Sequence, residues 1–205
     1  MRILYILILL LGGVRAYAQN STPSDHKVGL KTSINFSTLL GDELSRPRPK
    51  FGYVAGPYYH YKPTNKWSLY TELLGDFKGS NFSNGDTGYA RVALSYITLG
   101  MLPTYTLPES NKTVGVGPYV SYLGLASVYV GQQRKPNQSD KLGFANFDLG
   151  LAAYYTIKGQ AVSFQVGGKI GLLDVNNDVR FESVSPITGT GGLIRNISLD
   201  LGMLF

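Results

Sequence analysis

Apolar and polar residues alternate with a period of two along most of this chain, and the pattern returns eight times. In Val28-Leu30-Thr32-Ile34-Phe36 one set is mostly apolar, while the interleaved Gly29-Lys31-Ser33-Asn35-Ser37 is small or polar. Side chains at i and i+2 share a face only in an extended strand, so such a segment is a strand with one apolar and one polar side. The same holds for Trp67-Leu69-Thr71-Leu73-Gly75-Phe77, Phe147-Leu149-Leu151-Ala153-Tyr155, Val162-Phe164-Val166-Gly168-Ile170-Leu172 and Ile197-Leu199-Leu201-Met203-Phe205. Three more strands, about 51–62, 88–107 and 112–130, alternate less regularly, and a bulge or bend is expected around Leu99 to Pro103. This number and length of strands suits a small transmembrane barrel, in which a crossing takes about 9–11 residues.

The connections sort into two kinds. Those at about 38–50, 79–87, 131–141 and 174–192 are longer and polar, whereas Pro63 to Lys66, Pro108 to Asn111 and Lys158 to Gln160 are short turns. Outer-membrane barrels keep short turns in the periplasm and long loops outside, and an even strand number brings both ends of the barrel to the periplasmic side. Aromatic residues form two bands. Phe36, Phe51, Tyr53, Phe77, Tyr89, Tyr129 and Phe144 mark upper strand ends; Tyr59, Tyr61, Trp67, Tyr105, Tyr155, Phe164 and Phe205 mark lower ones. Two such bands look like membrane-interface girdles. A soluble β-sandwich or lipocalin-like barrel would instead use these residues as core. The expected fold is therefore all-β, an eight-stranded antiparallel up-and-down transmembrane β-barrel.

Residues 1–18 read as a signal peptide: Arg2 is the positive start, Ile3 to Leu11 the apolar core, and Ala16-Tyr17-Ala18 a small-x-small cleavage site. Residues 19–26 are then a short leader and 27–205 the barrel domain, exported to the bacterial outer membrane after cleavage at Ala18. The chain has no Cys, which excludes a lipoprotein anchor, a disulfide framework and a Cys-based metal site. Two of the basic residues behind the formal charge of +6, Arg2 and Arg15, belong to the signal peptide, and the rest are dispersed. Nucleic acid is not an expected partner.

If apolar faces meet lipid, polar faces meet inside. They supply Lys31, Arg91 and Lys169, with Lys78 near the rim, and Glu72, Asp76, Asp148 and Asp200. A barrel of eight strands is only wide enough for side chains to fill, and an unpaired buried charge is costly, so these groups are expected to form a structural ion-pair network. The other reading of the same charges is a narrow ion path or ligand cleft. Arg46, Arg48 and Lys50 in the first long connection, and Arg134 and Lys135 in that at 131–141, are candidates to meet lipopolysaccharide phosphates. The expected partners are outer-membrane lipid, lipopolysaccharide and the barrel-assembly machinery during insertion.

Catalysis is not expected. Lipid-modifying barrels use a Ser–His pair, with His as general base. This chain has two histidines, His26 before the first strand and His60 near the periplasmic end of the second. A deacylase pattern of Phe-x-x-His-x-Ser finds Pro57-Tyr58-Tyr59-His60-Tyr61-Lys62 here, without the serine. No His, Asp or Glu cluster has metal-ligand spacing, and no cofactor is expected.

The order of several short motifs resembles the PorT-like family of outer-membrane β-barrels. They are Lys27-Val28-Gly29-Leu30-Lys31, Phe51-Gly52-Tyr53-Val54-Ala55-Gly56 and Lys66-Trp67-Ser68-Leu69-Tyr70-Thr71-Glu72-Leu73, then Gly117-Pro118-Tyr119 and Asp148-Leu149-Gly150. Tyr96-Ile97-Thr98-Leu99-Gly100-Met101-Leu102 matches the family's Tyr-Leu-x-Ile-Pro-Leu segment, with Gly100 in place of Pro. The resemblance implies the barrel, the outer-membrane address and a link to protein secretion. The expected function is a non-catalytic role through extracellular loops and periplasmic turns; the alternative is a narrow channel or small-ligand transport barrel.

Overall fold

The computed structural model describes residues 26–41, 44, 47–83, 89–130, 133–135, 143–176 and 193–205. The expected signal peptide, the leader up to residue 25, and Arg46 lie outside the described residues. Among the described residues there are nine strands: β1 (His26–Gly41), β2 (Pro47–Tyr61), β3 (Trp67–Ser83), β4 (Tyr89–Thr106), β5 (Lys112–Val130), β6 (Gln133–Lys135), β7 (Phe147–Ile157), β8 (Ser163–Gly171) and β9 (Ile194–Leu204). All pairings are antiparallel between neighbours in the chain, except that β5 also pairs with β7 and β9 returns to β1. Eight strands thus close a ring, and β6 is a three-residue arm folded back on the top of β5. The chain is the expected eight-stranded antiparallel barrel.

Local chemistry explains the short end. Thr64 Oγ1 accepts the Trp67 backbone N–H at 2.9 Å, so the Pro63-Thr64 turn is tied by a side chain. Leu107 N–H donates to Lys112 O at 2.9 Å, and Lys158 N–H to Asn111 O at 2.8 Å, which joins neighbouring turns into one rim. On the outer face the apolar half of the alternation stands free, including Val28, Ile97, Val116 and Leu149, bordered by Phe51, Tyr53, Trp67 and Phe164. None of the described helices is long and apolar enough to cross a membrane; the crossing is made by strands.

Strand lengths are uneven. β1 to β5 run 15 to 19 residues, whereas β7, β8 and β9 run 11, 9 and 11. The wall is therefore tall on one side. The expected irregularity at Leu99 to Pro103 is not where the register changes. It changes between Ser95 and Tyr96, which pair with Leu125 and Leu123, so Gly124 is the extra residue. Below Gly124 the odd residues of β5 point inward; above it Ala126 and Val128 do. A second shift lies between Pro49 and Val54 of β2, where Pro49 has no N–H to give.

Candidate functional site

The lumen is stacked in layers, each set by what alternates inward at that height. Near the extracellular end it is apolar. Leu39 of β1, Phe82 of β3, Val92 and Leu94 of β4, Leu123 of β5 and Phe144 interlock into a buried plug. Below them lies the charged layer, built on β1, β3, β7, β8 and β9. Lys169 Nζ sits 2.8 Å from Asp76 Oδ2 and 3.2 Å from Asp200 Oδ2. Lys78 Nζ is 3.4 Å from Asp76 Oδ2 and 4.0 Å from Asp148 Oδ2. Lys31 Nζ meets Glu72 Oε2 at 2.9 Å.

Neutral donors complete this layer. Asn35 Nδ2 donates to Asp76 Oδ1 at 3.0 Å, Asn196 Nδ2 to Asp148 Oδ2 at 2.9 Å, and Tyr154 OH to Glu72 Oε1 at 2.8 Å. The Tyr154 ring also lies 3.9 Å from Lys31 Nζ, a cation–π contact shielded from solvent. Every charge here is essentially fully buried, so an opposite charge beside each, with neutral donors on Glu72, Asp76 and Asp148, is what makes ionisation tolerable.

Tyrosines form the next layer down, and cross-strand glycines admit them. Gly150 stands directly opposite Tyr119, and Gly167 opposite Tyr154. A Cβ on Gly150 would run into the Ile170 carbonyl oxygen and come 2.6 Å from the Tyr119 ring. The absent side chain is what allows the ring to lie flat against the wall. Tyr119 OH then reaches Asp148 Oδ2 at 3.3 Å, linking this layer to the charges above.

A closed ring with an apolar exterior and an ion-paired interior is the build of a protein that lives in an outer membrane. Residues 17–177 match the family described as outer membrane protein beta-barrel domain. The chain belongs to that family. Its ninth strand, which closes the ring, lies beyond the matched residues. Among solved structures the chain is similar to Ail, the attachment invasion locus protein of Yersinia pestis, at 11% identity over 88% of this chain and 97% of that one, with a TM-score of 0.49. It is similar to Neisserial surface protein A at 11% identity, 87% and 97% coverage and a TM-score of 0.48. It is also similar to OprG from Pseudomonas aeruginosa at 10% identity, 90% and 98% coverage and a TM-score of 0.41. Comparison with curated proteins finds no match.

In this outer membrane protein beta-barrel domain, Lys31, Glu72, Asp76, Asp148, Lys169 and Asp200 come together in the lumen. Arg91 does not. It is exposed on the outer face, its guanidinium 5.1 Å from the Tyr129 ring. The reason is the apolar plug: Ala90, Val92 and Leu94 fill the upper lumen, which turns the polar face of β4 outward at that height. Lys78 is not near the rim but in the middle of the network, because β3 continues beyond it to Ser83. Phe144 is not a girdle residue but part of the plug. Tyr96, Tyr119, Tyr154, Asn35 and Asn196 are network members that sequence reasoning missed.

Of the candidate lipopolysaccharide contacts, Arg48 is exposed and Lys50 is partly covered, its Nζ donating to Lys78 O at 3.3 Å. Arg134 and Lys135 lie on β6. His60 does find a serine, in space rather than in sequence: its Nε2 is 2.9 Å from Ser68 Oγ. Ser68 Oγ in turn lies 2.7 Å from Thr104 Oγ1, so the group is a hydroxyl chain between neighbouring strands. Among the described residues, no carboxylate lines the cavity on which His60 opens.

Proposed function

We propose that this outer-membrane barrel is non-catalytic and non-conducting, and that it works as an interaction component through its extracellular connections and periplasmic turns. The observation that carries the reading is the filled lumen: an apolar plug lies directly above a layer of paired charges. An ion on this path would have to break pairs such as Lys31–Glu72 and Lys169–Asp76 and then shed water among Phe82, Leu94 and Leu123. Both steps are costly in a medium of low dielectric. Planar-bilayer recording tests this. Purified protein is expected to give no single-channel steps; a stable conductance that Lys31 or Asp148 substitutions alter would replace the reading with a channel.

Anchoring to lipopolysaccharide belongs to the same proposal. Arg48, Asn81, Arg91 and Tyr129 stand in one cross-strand row, and the register of Tyr129 continues to Arg134. Directly paired residues share a face, so two guanidiniums project from the outer wall above Phe51, Tyr53 and Phe77. Arginine forks suit phosphate groups. The secretion link implied by the PorT-like resemblance is a proposal about partners. Crosslinking in the outer membrane followed by identification of the captured proteins tests it. Export with cleavage after Ala18, followed by insertion through the barrel-assembly machinery, completes the proposal, and N-terminal sequencing of the mature protein checks the cleavage.

A further inference from the structure

The periplasmic end of the barrel is not filled. Beneath the tyrosine layer the lumen opens into a vestibule of about 270 Å³, whose mouth lies among the short turns. Lys27, Lys62 and Lys158 line it, and among the described residues no Asp or Glu does. That contrasts with the charged layer above, where every lysine has a carboxylate. Lys158 Nζ has a hydroxyl instead, Thr106 Oγ1 at 3.5 Å. Burial, with Lys62 and Lys27 close by, holds the Lys158 ammonium below its ordinary pKa range. Like charges gathered around a concave space without a counter-charge attract an anion.

The walls specify more than charge. Thr113 Oγ1 and the Gln165 side-chain carbonyl are buried and have no hydrogen-bond partner, and both residues line the vestibule. Both atoms are sealed from water, so pairing either with a ligand takes a side-chain rotation that turns it into the vestibule, and recovers the roughly 1–3 kcal/mol that a buried unpaired polar atom costs. The Gln165 Oε1 accepts only, so it calls for a donor on the ligand. One wall is flat and aromatic, Tyr58 and Tyr70 being stacked with centroids 5.3 Å apart. We infer that the vestibule binds a small hydroxylated organic anion from the periplasm, its carboxylate or phosphate held at the Lys27–Lys62–Lys158 mouth and its hydroxyl-bearing body reaching Thr113 and Gln165. The volume admits a ligand the size of one sugar acid or sugar phosphate, at the small end of ligand pockets.

The test uses the full chain folded in non-ionic detergent at low salt, probed with gluconate, glucose 6-phosphate and glucose by titration calorimetry and ligand-observed NMR. Saturable binding of one or both anions, and not of glucose, is expected; which anion binds assigns the charged group. The triple variant Lys27→Gln/Lys62→Gln/Lys158→Gln should weaken it by about tenfold or more, a change of about 1.4 kcal/mol per decade. Thr113→Val, which leaves the charges in place, should weaken it less and without altering its salt dependence. Heat-dependent gel mobility checks that each variant is folded. No saturable binding of either anion, equal binding of glucose, or a folded triple variant that binds like the wild type would each overturn the inference.

Discussion

Lys169→Met should expose how much the lumen depends on being fully paired. Lys169 holds two carboxylates, Asp76 at 2.8 Å and Asp200 at 3.2 Å. Without it Asp76 keeps Lys78 at 3.4 Å and Asn35 at 3.0 Å. Asp200 keeps nothing comparable: neither of its carboxylate oxygens has a hydrogen-bond partner, and Lys169 is its ion pair. Removing one partner of a buried pair costs about 3–5 kcal/mol because the other charge is stranded. Most of that cost should fall on Asp200. Adding Asp200→Asn to Lys169→Met should therefore restore stability, with a coupling of about 1–3 kcal/mol between the two sites. Urea unfolding in micelles reads both variants through Trp67, the single tryptophan, and folded-versus-unfolded gel mobility provides a second probe. A loss below about 1 kcal/mol for Lys169→Met, or no recovery in the double variant, would refute the argument that pairing stabilises the layer.

Other consequences are as direct. Gly150→Ala should cost about 1–3 kcal/mol, because its Cβ would run into the Ile170 carbonyl oxygen and meet the Tyr119 ring at 2.6 Å. Gly124→Ala, whose Cβ would meet only Ser95 O at 3.6 Å, should stay within about 0.5 kcal/mol; both are read by the same unfolding curves. Leu99→Arg, in the middle of the exposed apolar belt, should cost about 2–4 kcal/mol in vesicles, while Phe51→Arg at the upper girdle should cost about 0–1. The lowered pKa of Lys158 means that the unfolded chain binds its proton more readily than the barrel does. Stability should thus rise with pH between that lowered value and the ordinary lysine value, and Lys158→Met should flatten the slope.

The period-two pattern was enough to find the strands, since only an extended chain returns a side chain to the same face every second residue. Glu72, Asp76 and Lys78 share parity on β3, so their common face was legible too. Height was not. Whether an alternating apolar set faces lipid or fills a plug looks identical along the sequence, and that is why Arg91 was expected inside while Val92 and Leu94 took its place. Interior and girdle tyrosines are likewise indistinguishable until register sets Tyr119 against Gly150 and Tyr154 against Gly167. The vestibule left no trace in the pattern, because Lys27 and Lys62, neighbours at the foot of the β1–β2 pair, meet Lys158 only once the ring closes.

Ring closure itself rests on β1 and β9, which pair from Lys31–Leu204 to Gly41–Ile194, with Leu30 and Phe205 exchanging backbone hydrogen bonds at the foot of the seam. The partners stand at opposite ends of the barrel sequence. Pairings so distant in sequence are slow to find, and until this one forms both strands remain open templates for other chains. The hazard for this protein is therefore one of timing: the ring stays unlocked, and liable to aggregate, until its last-made strand meets its first.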